Sequence, residues 1–302
     1  MSDTAELVDS HHHVWNLGHR PQPWLEDPGH EPIRRTFDTA GLRSAATRPI
    51  AGHRLDTTVV VQCLTSLPET RELLTLADKD PLVGAVVGWV DLTSLAIGEI
   101  LDELCAGPGG SYLRAVRHVV QGEQDPEWLQ RPVVERGLRT VGERGLGYDV
   151  LVRSHQLGQA VRLAERLPEL PLVLDHAGKP PIVGGDLADW ERQVRQLAGH
   201  PQVRCKVSGL VTEAEWEKWT TVDIRPVWNV LLSAFGPQRL MFGSDWPVCT
   251  LAGGWNRWAE TVEKLLADCS ERETRSILAG TATDFYRLSP PETTRERTPP
   301  CS

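Results

Sequence analysis

The stretch LVDSHHHVW (7–15) sets three consecutive histidines between apolar residues. An appended tag would be longer, would sit at a terminus and would lack apolar flanks. With Leu7 and Val8 before it and Val14 and Trp15 after it, the stretch reads as a short buried strand. Alternate residues of a strand share a face, so His11 and His13 point one way with Asp9 behind them, and His12 points the other. Two imidazoles so placed can grip a metal ion or polarise a substrate oxygen.

Working outward, runs of the same kind recur: TTVVVQC (57–63), LVGAVVGWV (82–90), LRAVRHVV (113–120), GYDVLVR (147–153), PLVLDHAG (171–178), VRCKVSG (203–209) and RLMFGSDW (239–246). Continuous apolar runs, as opposed to alternating ones, are the mark of parallel strands. Between them lie segments of helical period, such as 68–80, 131–145, 155–170 and 225–236, the last ending in a glycine stop. Eight strand–helix units in 302 residues predict an α/β protein, a (β/α)8 TIM barrel. A doubly wound nucleotide fold would want GxGxxG after the first strand or GxxxxGK[ST], and the chain has neither. The first connection, 14–56, is long and rich in Trp, Pro, His and Arg, and is expected to fold over the barrel mouth as a partial lid. The expected organisation is a short tail at 1–6, one barrel domain at 7–288 and a disordered Pro-rich tail at 289–302.

Composition narrows the class. The chain is 40% hydrophobic with a formal charge of −9, and no Lys/Arg block stands out, so a nucleic-acid partner is not expected. No run approaches the roughly 20 apolar residues of a membrane span, and MSDTAELVD lacks an export signal. The six cysteines (63, 105, 205, 249, 269, 301) are scattered without CxxC pairs, which fits reduced thiols in a soluble cytoplasmic protein. Four of the eleven tryptophans, Trp216, Trp219, Trp255 and Trp258, are expected on outer helices, where they would suit a homo-oligomer interface.

Barrel enzymes build their sites at the C-terminal ends of the strands. Those ends read His11/His13, Gln62, Trp89, Arg117/His118, Arg153, His176, Lys206 and Asp245. Two histidines from the first strand, one from the sixth and an aspartate from the eighth converge on the barrel axis in such a fold. The alternative gives His176 and Asp245 only capping roles.

The motifs VDSHHHVW (8–15), VVGWVDL (86–92), LRAVRHVVQGEQDPEWL (113–129), LDHAGKPPI (174–182), CKVSGL (205–210) and FGSDWPV (242–248) run in order through almost the whole chain. In these it resembles the amidohydrolase superfamily, in particular the group containing sugar lactonases and pyrone-dicarboxylate lactonase. The resemblance implies the barrel and a hydrolase, a carboxylic ester hydrolase of carbohydrate metabolism, acting on a small sugar-acid or carboxylated lactone. It also implies one divalent metal, zinc or manganese, held by His11, His13, His176 and Asp245. Metal-independent members exist, in which the histidines hydrogen-bond the carbonyl directly. Asp245 is then the general base, His176 polarises the carbonyl and Arg117 anchors substrate oxygens or pairs with a barrel carboxylate. Gln62, Trp24, Trp89, His118, Lys206 and Trp246 are the expected substrate contacts, with Lys206 alternatively paired to a neighbouring acid. His30, Arg34 and Arg35 are further candidates on the insertion. Binuclear relatives carry a bridging lysine where this chain has Arg117 and His118, and His155 stands near a fifth-strand ligand position. The competing functions are a metal-dependent decarboxylase or C–C hydrolase of the same superfamily, and a catalytically silent binding barrel.

Overall fold

The computed structural model describes residues 5–288; the expected disordered tail at 289–302 lies outside the described residues. All eight expected strands are present: β1 (Glu6–His12), β2 (Arg54–Val61), β3 (Val83–Gly88), β4 (Leu113–His118), β5 (Gly147–Val150), β6 (Leu172–Leu174), β7 (Val203–Val207) and β8 (Leu240–Phe242). They form one sheet in sequential order, each strand parallel to the next. Closure comes just past β8, where His12 bridges Trp246 in parallel. There the His13 amide donates to the Trp246 carbonyl at 2.7 Å and the Asp245 amide to the His11 carbonyl at 2.8 Å. The molecule is a (β/α)8 barrel.

The continuous apolar runs are explained by burial on both faces. One set of strand positions, including Val60, Val86, Val116, Val150 and Leu172, packs with Leu73, Leu101, Leu138, Leu163, Val194 and Leu231 of the surrounding helices. The alternate set, Val8, Val59, Val61, Ala85, Val87, Ala115, Val173 and Met241, clusters separately with Tyr286 and Leu288 from the end of the domain. Strands β5 and β7 give nothing to this second cluster. Their residues on that face include the fully buried Asp149 and Lys206.

The helix expected at 225–236 starts earlier, at Thr221, because Thr220 and Asp223 form a capping box. Within the 14–56 insertion, short turns at Pro23–Glu26 and Glu31–Ile33 precede a helix, Thr39–Ala45, capped by Asp38. Leu25, Ile33, Phe37 and Leu42 bury themselves and anchor the insertion, while Trp24 and His30 face the cavity at the mouth. Of the four tryptophans expected on outer helices, only Trp255 and Trp258 lie on one, Gly254–Leu265, while Trp216 and Trp219 lie in the loop before Thr221, and none is exposed. Trp219, Trp255 and Trp258 are at most 3% exposed, and their indole N–H groups donate to the carbonyls of Ala252, Arg48 and Gly243. Trp216 is half-buried at the cavity. An indole with one buried carbonyl in reach is a better core residue than its position on a helix suggests.

Candidate active site

Strand β1 delivers His11 and His13 to one place, with Nε2 atoms 3.2 Å apart. Asp245 Oδ1 lies 3.5 Å from His13 Nε2 and 3.8 Å from His11 Nε2. His13 Nδ1 is 2.8 Å from the Val61 carbonyl, which can only accept, so Nδ1 carries the proton and Nε2 offers its lone pair. Asp9 ties β1 to the chain after β8: it accepts from the His11 amide at 3.2 Å, the Ser244 amide at 2.7 Å and the Ser244 hydroxyl at 2.5 Å. Burial pushes the Asp9 carboxyl up to about 7 despite these donors.

β6 and β8 end short of the residues that matter. His176 and Asp245 lie two and three residues beyond them with φ of 51° and 56°, a left-handed backbone that non-glycine residues adopt at a cost of about 1–3 kcal/mol. His176 is held by its Nδ1 contact to the Ser208 hydroxyl at 2.9 Å. Beside it, Gly209 has φ 61°, and a Cβ there would fall 2.5 Å from His176 Nδ1 and 3.0 Å from Asp245 Oδ2. Burial lowers His176 to about 4, and it lowers His11 further, aided by Lys206, so both are neutral imidazoles near pH 7. Burial alone would raise Asp245, but His176 and His13 outweigh it and hold the carboxyl below its usual range.

These donors fit a metal ion. Tetrahedral zinc with bonds of about 2.0–2.2 Å has ligand atoms roughly 3.3 Å apart, and the His11–His13–Asp245 separations span 3.2 to 3.8 Å. The four residues expected to share one ion divide, however. His176 groups with His11 and Asp175, and His11, His13 and Asp245 form the other group.

A cavity of about 550 Å³ opens above them, with His13, Arg117, His176 and Asp245 in its lining and Trp24, His30 and Trp216 from the mouth. His30 stacks over Trp216 at 6.5 Å between centroids. Arg117 is largely committed: its guanidinium donates to Asp175 Oδ2 at 3.0 Å, lies 3.4 Å from His11 Nε2 and donates to the Gln62 carbonyl. Five expected substrate contacts are placed elsewhere. Gln62 is fully buried, its amide on the Arg117 carbonyl. Trp89 donates to His118 Nδ1 at 3.1 Å, and His118 is stacked on Trp128 and bonded to Glu123. Trp246 is buried against Phe37 and Gly41 of the insertion. Lys206 is fully buried beneath His11, on its second reading as an ion-pair partner: its ammonium contacts Asp149 at 2.6 Å and Asp175 at 3.0 Å. His155 is exposed in a turn, away from the cavity. Arg34 donates to the Leu25 carbonyl and Arg35 covers Phe37, so neither lines it.

Sequence reasoning missed the charged floor of the site. Asp149, Asp175 and Tyr286, whose hydroxyl donates to Asp149 at 2.8 Å, surround Lys206. Burial opposes the ionisation of Asp175, yet Lys206, His11 and Arg117 hold it far below the usual carboxylate range; burial raises Asp149 to about 6. The available signal was a charge inside each of two apolar strands, the Asp of GYDV and the Lys of VRCKV, which also carries Arg204.

The amidohydrolase family profile matches residues 8–288. The L-fucono-1,5-lactonase of Burkholderia multivorans is 36% identical over 302 residues, covering 96% of this chain and 99% of that protein. The L-fucono-1,5-lactonase of Burkholderia ambifaria is 34% identical over 295 residues, covering 94% and 96%. A crystal structure of an amidohydrolase from Burkholderia multivorans with bound zinc superposes with a TM-score of 0.86 at 35% identity, covering 94% of this chain and all of that one. With the match running from β1 to the last described residue, this chain belongs to the amidohydrolase family.

Proposed function

We propose that the protein hydrolyses the ring ester of a sugar-acid lactone, with L-fucono-1,5-lactone the first substrate to try. The observation that carries this reading is the convergence of His11 Nε2, His13 Nε2 and Asp245 Oδ1 just beneath a cavity that His13 and Asp245 line, in a chain related along its length to two L-fucono-1,5-lactonases. Lactone hydrolysis needs an activated water, a polarised carbonyl and a proton for the leaving alkoxide. Asp245, ionised at neutral pH, takes the proton from water as the oxygen attacks the carbonyl carbon. The C–O ester bond then breaks, and Asp245 returns the proton to the ring oxygen, giving the open hydroxy acid. Without an ion, His11 and His176 donate to the carbonyl oxygen; with one, the Nε2 atoms of His11 and His13 would hold it together with Asp245. Such an ion, zinc or manganese, supplies Lewis acidity and lowers the pKa of bound water. Support for it comes from the donor geometry here and from the zinc-bound amidohydrolase. Trp24 and Trp216 offer flat faces to the C–H side of a polyol ring.

A pH-indicator assay with aldonolactones tests the reading, corrected for spontaneous opening and run before and after chelation. Net acid release on at least one sugar lactone is expected, and chelation separates ion-assisted from direct polarisation. Rates no higher than the uncatalysed ones on every sugar lactone tried would overturn the assignment.

A further inference from the structure

The second acidic group of the site already has its cation. His11, Asp175 and His176 bring ligand atoms within metal-binding reach of one another, yet the Lys206 ammonium stands 3.0 Å from Asp175 Oδ1 and 3.1 Å from His11 Nδ1. Its third contact is Asp149 Oδ2, to which it donates at 2.6 Å, so the ammonium stands between two carboxylates and beside the His11 ring. On the other carboxylate oxygen of Asp175 lies the Arg117 guanidinium at 3.0 Å. All six side chains are buried, none more than 5% exposed.

We infer that Lys206 is a built-in cation occupying a latent second metal site formed by His11, Asp175 and His176, and that it limits the barrel to one divalent ion. The inference rests on reading His11, His13 and Asp245 as the site of that one ion. To bind there, His11 Nδ1 would have to release its proton to solvent, so that the ring bridges two ions as an imidazolate. An ion bonded at about 2.1 Å to Asp175 Oδ1 and to that nitrogen would fall within about 4 Å of the ammonium, with the guanidinium close on the same carboxylate. Charge balance argues the same way: Asp149 and Asp175 are matched by Lys206 and Arg117, and a further divalent ion would leave excess buried positive charge. Lys206 is thus a positioning residue. It reaches the reaction through His11, whose imidazole it supports from the side away from His13.

The test is metal content by mass spectrometry after loading with zinc or manganese, with manganese EPR to detect a spin-coupled pair. Wild-type protein is expected to hold no more than one ion per chain. Lys206→Met should hold one more than wild type, and Lys206→Arg should keep the wild-type count. Because Lys206→Met leaves two carboxylates facing Arg117 alone, a Lys206→Met/Asp149→Asn variant, which removes one charge of each sign, is loaded in parallel. His13→Ala, alone and with Lys206→Met, disables the first site while leaving the latent one. The gained ion should persist in that double variant. Two ions in wild type, or no gained ion in any folded Lys206→Met protein, overturns the inference. These counts stand whether or not any lactone is turned over, so failure of the lactonase reading is seen separately.

Discussion

Replacing Gly209 by alanine isolates what brings His176 and Asp245 together. The added Cβ would stand 2.5 Å from His176 Nδ1, 2.8 Å from its Cγ and 3.0 Å from Asp245 Oδ2. Ordinary contact requires about 3.4 Å or more, so the imidazole must retreat by roughly 1 Å, and its Ser208 hydrogen bond, 2.9 Å in the native site, goes with it. A displacement of that size in a reacting constellation costs on the order of 10²-fold in rate. Alanine at φ 61° adds about 1–2 kcal/mol of backbone strain, a few degrees of melting temperature in a chain of this size. The strain alone is controlled by Gly52→Ala, where φ is 83° and no atom lies within 4 Å of the new Cβ. Stopped-flow indicator assays and thermal melts on both variants separate the two effects. Gly52→Ala should lose stability and keep kcat, while Gly209→Ala should lose both. A Gly209→Ala enzyme with kcat within threefold of wild type would refute the claim that the contact between this glycine and His176 sets the site's geometry.

The other predictions concern single side chains. Asp245→Asn should lower kcat by about 10²–10⁴-fold with an unchanged circular dichroism spectrum, and a near-wild-type rate would remove Asp245 as the base. Trp24→Ala should raise KM about tenfold, the size of one aromatic contact, and leave kcat within a few-fold; an effect confined to kcat would take the indole off the substrate wall. His12, bonded to Thr58 at 2.9 Å, is lowered by burial to about 3 from 6.5. It therefore stays neutral in the fold while the unfolded chain protonates it, a penalty absent above pH 6.5 that grows as pH falls toward 3. At pH 4.5 it amounts to about 3 kcal/mol, two pH units at 1.36 kcal/mol each. Denaturant titrations of His12→Gln should show the variant gaining that much on wild type between pH 7 and pH 4.5, and a pH-independent difference would refute the burial argument.

The barrel was legible because burial on both faces leaves each strand a plain apolar run, and eight such runs in order admit few topologies. The HxH pair was legible for the same reason inverted, since polar residues at a two-residue spacing in a buried strand need a common partner. What the sequence could not rank was which polar residue at each strand end enters the cavity. Gln62, Trp89, His118 and Trp246 stand at strand ends as His176 does, but each finds a neighbour that draws it aside: the Arg117 backbone, His118, Trp128 and the insertion residues Phe37 and Gly41. Those neighbours are distant in sequence and become visible only when the chain closes. His176 and Asp245 reach the cavity because the chain beyond β6 and β8 turns left-handed, an event no periodicity announces.

The charged floor explains why the site residues must be specified across several strands at once. Removing one member of a buried ion cluster leaves an uncompensated charge, at a cost of about 3–5 kcal/mol. That is a large share of the 5–15 kcal/mol by which domains are typically stable. Arg117, Asp149, Asp175 and Lys206 come from β4, β5, the turn after β6, and β7, so none of the four can change alone without penalty. Their mutual contacts leave His11 with fixed charges around it: Lys206 and Asp175 at Nδ1, Arg117 near Nε2. The His11 imidazole is therefore oriented by the fully buried Lys206 and Asp175 and by Arg117, which also lines the cavity, while the insertion brings Trp24 and His30 to the mouth of that cavity.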